Sequence, residues 1–228
     1  MQLAKQVLLP ITGVMMLLTL SLVFLWVPTD ANLGVSQRIF YFHVPLAIMS
    51  LLPPFLVALT SIGYLWRRNE GWDALALSTV EVGVLFTTLT LVTGSIWAKP
   101  TWGVWWRWDP MLTTFFILWL IYMGYLLLRA YAPSPDQGAR YSAVLGIMGS
   151  VNSVIVYMAT VWWNTQHPEK VVGPAAEAGS LDARMGVGLL VAFITFALLF
   201  AYVLLERLSL RRDEARVETL RAALEEAS

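Results

Sequence analysis

Apolar residues gather along this chain in six long runs, and the stretches between them carry nearly all of the charge. The runs cover residues 7–27, 44–66, 75–97, 111–128, 142–163 and 185–205. A helix needs about 20 mostly apolar residues to cross the hydrocarbon of a bilayer, and each run has roughly that length. The pattern predicts an all-α integral membrane protein, a six-transmembrane-helix bundle with short loops and antiparallel neighbours. The first run ends in Phe24, Leu25, Trp26, Val27 and Pro28, an interfacial tryptophan followed by a helix stop. It is too long for the apolar core of a removable signal peptide, and it lacks a small-residue cleavage site. Pro53 and Pro54 inside the second run predict a kink. No internal repeat of fixed period is visible.

Composition agrees with this and narrows the chemistry. Of the 228 residues 58% are apolar and 13% charged, with a mean hydropathy of +0.66; soluble domains carry about 25% charged residues. Net charge is zero, so no basic field points to nucleic acid. Zero cysteines exclude a disulfide framework, a thiol nucleophile, an iron–sulfur cluster and covalent haem attachment through CxxCH. Lys and Arg number ten on the side shared by both termini (Lys5, Arg67, Arg68, Arg129, Arg140, Arg207, Arg211, Arg212, Arg216, Arg221). The other side has five (Arg38, Lys99, Arg107, Lys170, Arg184). That bias predicts both termini in the cytoplasm. Residues 1–205 then form the membrane domain and residues 206–228 a charged cytoplasmic helical tail. Within the tail Asp213 and Arg216, and Glu218 and Arg221, stand one helical turn apart. A solvated helical extension is the first reading of it, and a docking surface for a partner the second.

The unusual residues collect on the outer face. Five of the 11 tryptophans, Trp97, Trp102, Trp105, Trp106 and Trp108, fall within a loop at about 97–110, bracketed by Pro100 and Pro110. Interfacial belts place one or two tryptophans at a helix end, as with Trp26, Trp66, Trp119, Trp162 and Trp163. They do not account for four in seven residues, broken by Gly103 and closed by Asp109. Indoles offer a flat apolar area with an N–H at the rim, which suits a large planar ligand at the membrane surface. The only two histidines, His43 and His167, each lie just before a proline on this same face. Either alone reads as an ordinary interfacial residue. Together, beside the tryptophans, they are candidate axial ligands on opposite faces of one haem iron. Two histidines cannot support a four-His, two-haem arrangement, and without Cys or a tight His/Asp cluster a structural zinc site is disfavoured.

The stretch Trp102-Gly103-Val104-Trp105-Trp106-Arg107-Trp108-Asp109 resembles the tryptophan-rich signature of the haem-handling (WWD domain) membrane proteins of c-type cytochrome maturation. With six spans, this length and two flanking outer histidines, the chain is most similar to the CcmC, or haem exporter protein C, family. The similarity includes residues 37–45, from Gln37 and Arg38 through His43 to Pro45. The resemblance implies a haem chaperone with no stand-alone enzymatic activity. Haem b, a non-covalent transient cargo, is held at the outer face and presented to the carrier CcmE, which attaches it covalently. The ATP-driven CcmA/CcmB assembly, with CcmD, then releases the loaded carrier. Carried over, the iron ligands are His43 and His167, and the haem-binding residues Trp102, Gly103, Trp105, Trp106, Trp108 and Asp109. The family continues with an arginine where this chain has Met111. Arg38 and Arg107 are the nearby cations for a propionate, since the planar guanidinium fork binds carboxylates bidentately. The resemblance places the protein in the bacterial inner membrane with its site on the periplasmic side.

Among residues inside the spans, Glu81 is a functional-site candidate by default. It sits close enough to the inner interface, near Asp73, Arg67 and Arg68, for pairing or partial solvation. Thr87, Thr88, Thr90 and Thr93 read as packing and interhelical hydrogen bonding, and Asn152 as a hydrogen bond within the bundle. A transmembrane haem transporter is the competing function, but the chain has no P-loop, no visible inverted repeat and no polar row along one helix. An intramembrane protease is rejected because Ser95 lacks a flanking glycine of the required pattern and neither histidine lies at membrane depth.

Overall fold

The structure, a computed structural model, describes residues 2–163, 165, 167 and 181–226. Lys170 of the outer charge count and the last two tail residues lie outside them. The described residues form seven α-helices and no β-strand: α1 (Gln2–Ser21), α2 (Phe40–Leu51), α3 (Pro53–Arg67), α4 (Glu70–Trp102), α5 (Pro110–Tyr131), α6 (Pro135–Trp162) and α7 (Ala183–Glu226). A π-helical turn, Leu22–Trp26, prolongs α1, and a 3₁₀ turn, Val35–Ile39, leads into α2. α2 and α3 together make one crossing, so six helical stretches are long and apolar enough to span a membrane.

The break between α2 and α3 falls at Leu52, and Pro53 and Pro54 take the first positions of α3, where a missing N–H costs nothing. Two prolines in a row remove two bonds from the ladder. The hydroxyl of Ser153 on α6 donates to the Leu51 carbonyl at 3.1 Å, occupying one acceptor at the break. Side chains start three other helices. Asn69 caps α4 by accepting from Gly71 N–H at 2.7 Å, Asp109 caps α5 from Met111 N–H at 2.9 Å, and Ser134 caps α6 from Gln137 N–H at 3.3 Å.

α4 is the central helix, packed against α2, α3, α5 and α7. On one side of it Val57, Val80, Leu118, Tyr122, Tyr125 and Val156 make a closed core. On the other, Val23, Tyr41, Leu189 and Ala192 join the end of the first crossing to α2 and α7. Gly146 lets α6 close on α3, for a Cβ there would stand 2.6 Å from Val57 Cγ1. Glu81, the acid expected to be costly, is paired: both Arg207 (2.5 and 2.8 Å) and Arg211 (2.9 Å) of α7 reach it. Asp73 and Arg129 form a two-bond pair at 3.0 and 2.8 Å. Lys5 holds Glu206 at 2.9 Å.

Three boundaries differ from the sequence expectation. The second crossing begins at Phe40, which puts His43 inside the helix. α4 runs through Pro100 to Trp102, so that proline does not bracket the tryptophan segment. One proline in a last turn removes a single bond; the helix ends at Gly103, whose φ of 76° is left-handed and whose N–H closes on Lys99 O at 3.0 Å. α7 is continuous over 44 residues, about 66 Å, so the last apolar run and the charged tail are one helix.

Candidate haem site

At the end of the bundle where α4 stops and α5 begins lies a cavity of about 320 Å³, walled by α2, α4, the start of α5 and the first turn of α7. Its lining is overwhelmingly apolar, with a few polar groups, the pattern of a small-molecule site. Both histidines line it. His43 enters from the first turn of α2 and is 9% exposed. Its Nδ1 lies 3.0 Å from the Thr93 hydroxyl of α4, and its ring meets Trp97 edge-on with centroids 5.7 Å apart. His167 arrives from beyond the end of α6. It is half-buried, and its backbone N–H donates to the Thr165 hydroxyl at 2.9 Å.

The tryptophans divide into two sets. Trp97, Trp102 and Trp106 line the cavity. Trp105 and Trp108 do not, and they are 58% and 75% exposed. Trp106 and Trp108 meet edge-on at 5.8 Å, and both lean on Phe116, which stacks on Trp119. Lys99 donates to the Gly103 carbonyl at 2.9 Å with its ammonium 6.0 Å from the Trp105 ring, so the loop is anchored at its start. Asp109 anchors its other end as the α5 cap.

The expected cations are elsewhere. The Arg38 guanidinium donates to the carbonyls of Val23 and Val27 (2.8 Å for the latter) and to the Thr29 hydroxyl, closing the end of the π-helical turn. Arg107 is half-buried outside the cavity lining, and no Lys or Arg is among the described residues that line it. Met111 does line it. Among the described residues, buried polar atoms on the lining without a hydrogen-bond partner include Gln37 Oε1, Trp97 Nε1 and Trp106 Nε1. Orphaned polar groups are expensive in an apolar wall, and a ligand with polar edges would satisfy them. The sequence does not single out Gln37 and Gly94 as cavity lining, nor Thr93 as the hydrogen-bond partner of His43. Gln37 opens the stretch 37–45 that shares in the family resemblance, and Thr93 stands one helical turn before Trp97.

The arrangement can take a mostly apolar molecule that bears a metal. Two imidazoles are available as nitrogen ligands, and indoles supply apolar area. Among the described residues no group of three His, Asp or Glu side chains gathers to hold a bare ion.

Comparison with known proteins is consistent with this. The family model described as heme exporter protein C matches residues 1–223. The heme exporter protein C of Bradyrhizobium diazoefficiens is 37% identical over 174 residues, 76% of this chain and 65% of that protein's length. That of Paracoccus denitrificans is 34% identical over 86% of this chain and 80% of its own, and that of Escherichia coli K12 34% identical over 81% and 74%. A match over nearly the whole length, to a chain with six membrane-crossing stretches, establishes that this protein belongs to the CcmC family, heme exporter protein C.

Proposed function

We propose that this protein is a haem-binding membrane chaperone of c-type cytochrome biogenesis, which holds haem b as non-covalent cargo at the outer end of the bundle and presents it to the carrier CcmE. The observation that carries this reading is the convergence of the chain's two histidines, 124 positions apart in sequence, on one apolar cavity beside Trp97, Trp102 and Trp106. Bound there, haem supplies an iron with two axial positions. The protein's part is to offer an imidazole from α2 and another from beyond α6, to cover the macrocycle with indoles, and to keep water off the iron. With no cysteine in the chain the vinyl groups have no thiol to react with, so the cargo stays transferable. The exposed Trp105 and Trp108 are placed to meet the carrier as it collects the cargo. CcmA/CcmB and CcmD are the proposed partners in the same inner membrane, with the cavity on the periplasmic side.

Delivery is favoured over transport across the bilayer by the closure beneath the cavity. Below it Val80, Leu118, Tyr122 and Tyr125 are packed to 3% exposure or less, and the far end is tied by the Glu81 and Asp73 ion pairs. Absorption spectroscopy of protein purified from haem-sufficient membranes tests the reading. A Soret band with bis-histidine features is expected. Protein that is reproducibly haem-free and fails to take up added haemin would refute it.

A further inference from the structure

His43 is held by α4 as well as by its own helix, and the manner of holding selects one of its two nitrogens. The Thr93 hydroxyl lies 2.7 Å from Leu89 O and 3.2 Å from Thr90 O, both on its own helix. A hydroxyl has one proton, and here it is given back to the helix, which leaves a lone pair facing His43 Nδ1 at 3.0 Å. A lone pair opposite a ring nitrogen requires that nitrogen to carry the hydrogen. Nδ1–H therefore donates to Thr93, and Nε2 keeps its lone pair.

The same stretch sets where the ring lies. A Cβ built at Gly94 would stand 2.9 Å from His43 Cε1, 3.5 Å from Nδ1 and 3.8 Å from Nε2, so the imidazole edge rests against bare α4 backbone. Any larger residue there would push the ring away. Trp97, one turn further on, closes the third side. Thr93, Gly94 and Trp97 thus form a seat on one face of α4.

We propose that Thr93 is a positioning residue for His43: it locks the imidazole as the Nδ1–H tautomer, so that Nε2 is offered as an iron ligand before haem arrives. The proposal rests on the haem-binding reading above, in which His43 is a ligand. A ligating histidine that donates its other N–H is oriented and made more basic, and loss of such a partner typically lowers metal affinity about 10–100-fold. The seat is made by the protein's own residues, so it is testable in haem-free protein.

The test begins with ¹⁵N-histidine NMR on the full-length, haem-free protein in detergent. The chain has two histidines, and a His167→Gln variant assigns the His43 signals. The expected result is a protonated Nδ1 and an unprotonated Nε2 for His43. Thr93→Val, which removes the hydroxyl at nearly constant volume, should convert this to a mixture of tautomers, and Thr93→Ser should restore it. In the haem-loaded protein Thr93→Val should shift the reduction potential and raise haem loss about 10–100-fold, while Thr93→Ser stays near wild type. A His43 bearing its proton on Nε2 in the unsubstituted protein overturns the proposal, and that measurement stands even if Thr93→Val fails to fold. An unchanged potential and unchanged haem retention in a folded Thr93→Val also overturn it. If the expected tautomer is present but the unsubstituted protein takes up no haemin, the haem reading is the one that fails.

Discussion

A tryptophan is recruited to this cavity by the side of the loop on which it falls, and rarity in the sequence does not distinguish the sides. Trp106 contributes a half-buried ring and a buried, unpartnered N–H, whereas Trp108, two positions on, is 75% exposed. Trp106→Ala should therefore weaken haemin binding about tenfold, equivalent to ~1.4 kcal/mol. Trp108→Ala should leave binding by the isolated protein within about twofold, a difference of ~0.4 kcal/mol. Fluorescence-quenching titrations of the two variants measure this, and equal losses would move the cargo out of the cavity and onto the loop. At this scale the two histidines and the tryptophan cluster were legible because they are scarce and share one face. Gly94 was not, and Thr93 was legible as an interhelical hydrogen-bonding residue but not by its partner His43, because both roles depend on the register of α2 against α4, which no single-chain pattern records. Arg38 was misleading for a related reason: its guanidinium serves backbone carbonyls that only the folded π-helical turn leaves open.

Helices were the most readable level, since a run of apolar residues long enough to cross a bilayer has few other fates. Their ends were less so. α4 continues past Pro100 because the stop signal is Gly103, and α7 carries its charged tail as helix because nothing in residues 205–226 breaks it. The same continuity explains Glu81. Its partners Arg207 and Arg211 belong to a tail that reads in isolation as solvated, yet one helical turn separates the two arginines and both face α4. Replacing Glu81 by Gln leaves two partly buried guanidiniums short of their acceptor and should cost about 1.5–3 kcal/mol. Thermal unfolding in detergent should show the loss. A Glu81→Gln/Arg207→Gln double variant should be less destabilised than the sum of its parts, and strict additivity would deny the pairing any structural weight.

The whole molecule is a bundle tied by charge at one end and hollow at the other. The ion pairs of α1, α4, α5 and α7 gather at the end away from the cavity, so the two ends have opposite characters. The positive-inside bias predicts that the charged end faces the cytoplasm. A periplasm-dependent reporter fused after Lys170 should accordingly be active, and one fused after Ser228 inactive. The opposite pattern would put both histidines in the cytoplasm and end the delivery model. The six spans and the family were open to sequence reading. The cavity itself was not, because it forms only where α2, α4, α5 and α7 meet.

Whether His43 and His167 serve one iron is decided by the absorption and low-temperature electron paramagnetic resonance of haem-loaded protein carrying His43→Ala, His167→Ala or both. Each single variant should hold a five-coordinate, more easily lost haem, and added imidazole should return the six-coordinate spectrum. The double variant should lose little more than the worse single one, because both residues act on one centre. If instead each single variant stays six-coordinate with an unshifted spectrum, the axial ligands lie elsewhere and the assignment of the two histidines is wrong.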